Sequence, residues 1–512
     1  MASLKNSEIP NKILNGKWAH LVAIGGTGMG ALAALLQDLG FEVTGSDGPL
    51  YPPMSTFLDS RKIPRVEKYA AENLLGKTWG IAKANPDLVI VGNAISRGHV
   101  EAAEVERLLA EKKCVRMSFA EGLAEFAIGR KESFVVAGTH GKTTTTSLLT
   151  WAIEGLGKEP GFFIGGIPAN YGFGCRLGHG EIFVSEGDEY DTAYWDKVSK
   201  FLHYRPTWVL CTGVEYDHAD IYPDLASIQR SFEKLIDKTQ KGWVVVEDGS
   251  APKPEVVASL ASSAKAAGLQ VLRYGFAANA DAQVLSFEET SLPNSRAMGS
   301  KCVFRLPHFG RLEMIFPMSG RHNILNLCGV LAILDQAGKL NPLEVAKIQN
   351  LFLGFKGIKR RQEELFSDGE LTVVDDFAHH PTAIRETISA IRKRYPKNRV
   401  FSFFEARSAT SARNIFLEEF GSAFDESDQV FLVPPTKSNV PEAEKLDIQG
   451  VARRIEKHKI PVVVEKDIDK LCDHFFQNLE GNSGGVVALV MSNGAFGGLH
   501  QKIISRWKEN HK

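Results

Sequence analysis

The 512-residue chain carries 60 basic and 61 acidic side chains, a net charge of −1, so charge alone gives no case for a nucleic-acid or membrane partner. Its 44% apolar and 24% charged residues are those of a globular protein, and the length exceeds one compact core, so roughly two to four domains are expected. Six cysteines, at positions 114, 175, 211, 302, 328 and 472, are scattered without a Cys-x-x-Cys pair, which suits reduced thiols rather than a disulfide framework. Residues 1–8 lack a hydrophobic signal core, and Gly and Thr interrupt the apolar stretch 21–36, so a cytoplasmic protein without a membrane span is expected. Residues 19–24 read as a strand, Gly25-Gly26-Thr27-Gly28-Met29-Gly30 as a glycine loop and 31–39 as a helix. A strand at 41–45 ends in Ser46-Asp47, and another at 88–92 ends in Asn93-Ala94-Ile95-Ser96. This is Rossmann-like alternation, with Asp47 about 20 residues past the loop, where a ribose-binding acid often sits. A nicotinamide or flavin site is one reading of it. A second nucleotide loop further on, and no evident hydride-transfer constellation, weigh against that reading.

Residues 133–137, Ser-Phe-Val-Val-Ala, form a short β-branched run of the kind a buried strand uses. Gly138 to Lys142 make a tight loop, and a helix opening at Thr143 carries Leu148, Leu149 and Ala152 on its apolar face. Strand, glycine loop, Gly-Lys-Thr and helix together form the setting of a phosphate-binding loop. Backbone N–H groups and the helix N-terminus would close on phosphate oxygens, Lys142 would reach the outer phosphates, and the Thr143 hydroxyl would hold Mg²⁺. Only two residues separate Gly138 from Gly141, where the usual loop has four.

A strand at 182–185 ends in Glu186-Gly187-Asp188-Glu189-Tyr190-Asp191. Four carboxylates so close repel one another unless a cation or donors offset them, and a strand end beside a phosphate loop is where Mg²⁺ would sit. The strand 207–211 leads into Glu215-Tyr216-Asp217-His218, a histidine beside acids at another strand end. A polar β-rich stretch, 270–318, is followed by Ser319-Gly320-Arg321-His322-Asn323 and a helix over 324–337; alone, this is a helix start capped by Ser319 or Asn323. Residues 354–361 are a glycine-rich basic connector. Beyond it, strands at 371–374, 400–404, 429–433 and 486–491 alternate with helices as a second open α/β sheet. Asp375-Asp376 and His379-His380, after the first of these, could suggest a metal site.

The short loop Gly138-Thr139-His140-Gly141-Lys142-Thr143-Thr144 resembles that of the Mur ligase family, which uses ATP to join amino acids or peptides to peptidoglycan precursors. The Glu-x-Asp-Glu, Glu-x-Asp-His and Gly-x-His-Asn motifs follow in the same order over essentially the whole chain. The resemblance implies an α/β protein of three domains: a Rossmann-like UDP-sugar domain at 1–130, a central P-loop ATPase-type domain at 131–352 and a Rossmann-like peptide-binding domain at 353–512. It implies ATP on residues Gly138 to Thr144, with His322 and Asn323 at the adenine, Asp376 at the ribose and Arg361 approaching the nucleotide. Lys142, Glu186 and His218 carry the catalytic roles, and Thr143, Glu186 and His218 hold Mg²⁺. The UDP-sugar falls to Gly26, Thr27, Gly28, Met29, Ser46, Asp47, Asn93, Ala94, Ser96 and Arg97. Some relatives bridge their metals with a carbamoylated lysine; counting forward from Asp217-His218 points near Phe232-Glu233-Lys234 without a clean register.

Within the family the pattern is similar to the branch that takes UDP-N-acetylmuramic acid itself. Glu189-Tyr190-Asp191-Thr192-Ala193, His203-Tyr204-Arg205-Pro206, Glu405-Ala406-Arg407-Ser408-Ala409-Thr410 and Met491-Ser492-Asn493-Gly494 look like the recycling ligases, which attach the intact tripeptide L-alanyl-γ-D-glutamyl-meso-diaminopimelate. A tripeptide with three carboxylates needs donors beyond those an alanine needs, and Arg407, Ser408 and Asn493 could supply them. The alternative is the L-alanine-adding ligase of de novo synthesis. No nucleic acid or membrane partner is expected, and the chain is expected to act as a monomer or weak dimer.

Overall fold

The computed structural model describes residues 16–51, 54–247, 249, 251, 253–293, 298–435, 440–479 and 484–511. Its first sheet has five parallel strands in the order Arg65–Val66, Glu42–Ser46, Trp18–Val22, Leu88–Val91, Val115–Ser118. Strand order reverses about Trp18–Val22, so the glycine loop after it and the loop after Leu88–Val91 flank one crevice at the strands' C-terminal ends. The helix after the glycine loop runs Thr27–Asp38, starting four residues before the expected position. The Gly30 N–H already bonds the Gly26 carbonyl, and a Cβ on Gly30 would stand 2.3 Å from Met54 Cε.

The second sheet has ten strands. Its parallel centre runs Gly161–Phe163, Ile182–Gly187, Glu132–Ala137, Trp208–Cys211, Gly242–Val246, Gln270–Gly275. These strands are nearly continuous apolar runs because helices, among them Lys142–Gly155 and Arg321–Gln336, cover the sheet. Phe134, Phe183 and Trp243 are fully buried here, each contributing roughly 2–3 kcal/mol. Ala282–Ser291, Met298–Leu306 and Gly310–Phe316 extend the sheet as an antiparallel ribbon, matching the polar β-rich stretch. One apolar core joins the first two units, with Phe119 and Phe163 packed at 5.0 Å.

The third sheet orders Glu363–Ser367, Leu371–Asp376, Val486–Met491, Arg399–Glu405, Gln429–Val433, Val462–Val464, with only the first strand antiparallel. Two apolar clusters cover its two faces. All six cysteines are buried and form no disulfide, and burial pushes the Cys211 thiol up to about 12. Among the described residues no helix is long and apolar enough to cross a membrane.

Candidate active site

Two glycines shape the loop between Glu132–Ala137 and Lys142–Gly155. Gly138 has φ +136°, and a Cβ there would stand 2.3 Å from Thr212 Oγ1. Gly141, at φ +78°, caps the helix, and a Cβ would stand 2.7 Å from Asn326 Oδ1. A glycine cap leaves the first helical N–H groups open to an anion. The run Thr143–Thr146 is a poor helix former. It is held by burial and by hydroxyls donating back one turn: Thr146 to the Lys142 carbonyl (2.7 Å) and Ser147 to that of Thr143 (2.7 Å).

The Lys142 Nζ folds back onto its own loop, donating to the Gly138 carbonyl at 2.6 Å, and meets both Glu189 oxygens at 2.7 and 3.0 Å. Burial disfavours the ammonium, but Glu189 more than offsets this and raises the lysine above its ordinary range. Glu186 accepts from the Thr143 hydroxyl at 2.9 Å and from the Gly165 N–H at 2.8 Å. Burial pushes its carboxyl up, and Lys142 counters this only in part. Arg361 reaches within 3.5 Å of Thr143 Oγ1 while packing on the Phe377 ring. Thr143 and Glu186 therefore place hard oxygen donors side by side, with a half-buried carboxylate short of positive charge, a donor set that fits Mg²⁺.

His218 adopts φ +58°, a left-handed conformation rare outside glycine, with its N–H donating to Asp217 Oδ1 at 2.7 Å. Its Nε2 lies 3.9 Å from Glu189 Oε2 and its ring 4.3 Å from that of Tyr190. In the segment reached by counting toward a bridging lysine, Lys234 is exposed, while the Ser231 hydroxyl on the same helix bonds Ser199 in a buried cluster. From that cluster Tyr222 donates to the Glu189 carbonyl at 2.7 Å.

The third unit closes on the second through the helix Pro381–Arg394 and the loop before it. Thr382 donates to Glu215 Oε1 (3.0 Å), and the other Glu215 oxygen lies 2.8 Å from His140 Nε2 and 3.6 Å from His380 Nδ1. His379 stands 3.7 Å from Asp217, and the Ala219 N–H donates to Thr410 at 3.1 Å. Burial would raise Glu215, but the His140 hydrogen bond and charge hold it below its ordinary value; burial takes His380 down to about 4. The paired Asp and His of this segment do not form one metal set. Asp375 faces Arg360 and His500, and Asp376 accepts backbone N–H groups of Gln362 and Ala378. His379 and His380 turn instead to the central acids.

Behind the loop lies a cavity of about 160 Å³ whose lining includes Thr144, His322, Asn323, Arg361 and Asp376. Residues of three separate segments thus line one cavity, while Gly138, Lys142 and Thr143 of the loop are not part of its lining. Asn323 is almost wholly buried, donating to the Ser319 carbonyl at 2.8 Å. Two residues that sequence reasoning missed, Gln362 and Glu386, flank His322 at 3.1 and 3.6 Å. Gln362 adjoins the basic connector, which was the available signal; Glu386 gave none.

In the first unit, Asp47 accepts from the Gly25 N–H (2.6 Å) and the Tyr69 hydroxyl (2.8 Å). Gly26 and Thr27 are exposed at the loop, Gly28 is half-buried, and Asn93, Ala94, Ser96 and Arg97 are exposed on the neighbouring loop. Ser46 and Met29 turn inward: the Ser46 hydroxyl donates to buried Glu101 at 2.5 Å, and Met29 joins the core. Glu101, unnoticed in the sequence, also receives Asn73 and the Ala70 N–H and so ties the loop together. In the third unit Arg407 is exposed, 4.0 Å from Glu405. Ser408 is buried, its hydroxyl donating to that of Ser411 at 2.8 Å. The Asn493 amide oxygen is buried without a partner among the described residues.

Profiles of three Mur ligase domains match the chain in order: the Mur ligase family catalytic domain over residues 19–129, the Mur ligase middle domain over 136–334 and the Mur ligase glutamate ligase domain over 360–494. The UDP-N-acetylmuramate–L-alanyl-γ-D-glutamyl-meso-2,6-diaminoheptandioate ligase of Escherichia coli is 35% identical over 95% of this chain and 97% of its own. A UDP-N-acetylmuramate–L-alanine ligase of a Geobacter species is 32% identical over 89% of this chain and 90% of its own. The crystal structure of a murein peptide ligase from Psychrobacter arcticus is 29% identical, with a TM-score of 0.65 over 96% of this chain and 98% of that one. The chain belongs to the Mur ligase family and is an ATP-dependent ligase that forms an amide bond.

Proposed function

We propose that this protein joins the tripeptide L-alanyl-γ-D-glutamyl-meso-diaminopimelate to UDP-N-acetylmuramic acid, in the cytoplasm, with ATP and Mg²⁺. The carrying observation is that Arg361, which lines the cavity with Thr139, His140, Gly141 and Thr144 of the loop, also reaches the Thr143–Glu186 pair, while the adjacent Lys142 is held by Glu189. The relative from Escherichia coli, similar over nearly the whole chain, supports the choice of substrates. We assign the UDP-sugar to residues 1–130, ATP to 131–352 and the peptide to 353–512.

The substrate carboxylate attacks the γ-phosphorus of ATP, giving an acyl phosphate and ADP. The peptide amine then attacks the acyl carbon, loses a proton and expels phosphate. Neither step needs a protein nucleophile; both need positioning and neutralised charge. Lys142, swung off its loop, faces the transferred phosphate, and Arg361 approaches from the third unit's side. Thr143, Glu186 and His218 would hold Mg²⁺, which supplies charge neutralisation when bound. The contacts of His379, His380 and Thr382 with the central acids keep the third unit closed and water away from the acyl phosphate. Arg407 and the Asn493 amide oxygen, unpartnered among the described residues, offer the peptide a cation for a carboxylate and an acceptor for an N–H. The test is ¹⁸O in the UDP-N-acetylmuramic acid carboxylate: it passes to inorganic phosphate if an acyl phosphate forms, and stays out of phosphate if the account is wrong.

A further inference from the structure

Lys142 is not free to receive a nucleotide. Its side chain is only 13% exposed, and the ammonium is held by both Glu189 oxygens, at 2.7 and 3.0 Å, and by the Gly138 and Thr139 carbonyls. Glu189 is itself only 2% exposed, and the oxygen nearer the lysine also stands 3.9 Å from His218 Nε2. Its backbone is pinned by the Tyr222 hydroxyl on its carbonyl. One carboxylate thus bridges a lysine of the phosphate loop and a histidine of a different strand end, and it is a carboxylate to which the expected roles gave nothing.

We propose that Glu189 is a positioning residue that parks Lys142 in the nucleotide-free enzyme and, once the lysine has moved to the triphosphate, holds His218 in place. This rests on the reading of the cavity as the ATP site. The exchange follows from charge. An ammonium so little exposed cannot stay unpaired, so an acid must hold it until phosphate arrives, and ATP must displace that acid to bind. The parked pair therefore lowers nucleotide affinity. It also keeps the loop lysine from being stranded without a counter-charge.

The consequence is a split of opposite signs that a purely structural acid would not give. In Glu189→Gln, ATP no longer has to break an ion pair, so its affinity without Mg²⁺ should tighten roughly tenfold, while kcat should fall through loss of the His218 contact. Glu189→Asp keeps the charge and should bind ATP within about twofold of wild type. Calorimetric titration of the full chain with ATP in EDTA reads the first effect. Weaker or unchanged binding by Glu189→Gln would overturn the proposal. If wild type binds no ATP at all, the reading of the cavity fails instead. A crystal structure of the wild-type protein with a non-hydrolysable ATP analogue gives a second test should the variant not fold. Lys142 Nζ is expected beyond hydrogen-bond distance of Glu189; finding the pair intact beside bound triphosphate would refute the exchange.

Discussion

His380 makes closure of the third unit sensitive to pH. The ring is 3% exposed, packs 4.6 Å from Phe416 and faces His140, Glu215, Asp217 and His379. Burial takes it from 6.5 to about 4, so the fold holds the neutral ring. The sign follows directly: a group with a depressed folded value leaves stability intact above its unfolded value and removes it as pH falls toward the folded one. With 6.5 and about 4 as the two values, the loss between pH 7 and pH 5 is about 2 kcal/mol. For a unit of this size that is roughly 4–8 °C in melting temperature. Gln at this position cannot titrate, and the surrounding acids and histidines are common to both proteins. Thermal unfolding of wild type and His380→Gln at the two pH values should therefore show wild type losing several degrees more. Equal losses would refute the argument, because the depressed ring would then not be what the closed contact protects.

Three further outcomes follow from the site. Glu186→Gln removes a half-buried carboxylate that burial already pushes toward its neutral form; it should raise the melting temperature without Mg²⁺ and abolish any rise that Mg²⁺ gives wild type, whereas a retained Mg²⁺ response would remove Glu186 from the ligand set. Arg407→Ala should raise the peptide KM about tenfold and leave the ATP KM nearly unchanged; steady-state kinetics giving equal effects would place the peptide elsewhere. Gly138→Ala meets both a φ of +136° and a contact at 2.3 Å, so it should cost roughly 3 kcal/mol in denaturant unfolding and at least 100-fold in activity; near-normal values would mean the loop relaxes freely.

Much of the fold is legible because its parallel strands are short, unbroken apolar runs closed by glycine or acid. Gln429–Val433 and Val486–Met491 have the limits their composition implies. The first helix was less so: Thr27 to Gly30 look like loop, and only the tight packing of Gly30 shows why they are helical. The phosphate loop and the acids at 186 and 215 announce themselves because chemistry and strand ends coincide. What the sequence hides is which acids meet which donors. The Glu189–Lys142 pair spans 47 positions, and Thr382 and Glu215 are 167 apart. No local pattern encodes such pairs; adjacent strand ends of one sheet create the first, and packing of separate units creates the second. For the same reason Ser46 and Ser408, suitable in chemistry and position, turn to buried partners, Glu101 and Ser411.

The most direct test of the account is acceptor choice, measured as phosphate release with ATP, Mg²⁺ and UDP-N-acetylmuramic acid, offering either the tripeptide or L-alanine. The account predicts strong turnover with tripeptide and little with alanine. The reverse result would make the protein an alanine-adding ligase and contradict the assignment of a peptide site to the third unit.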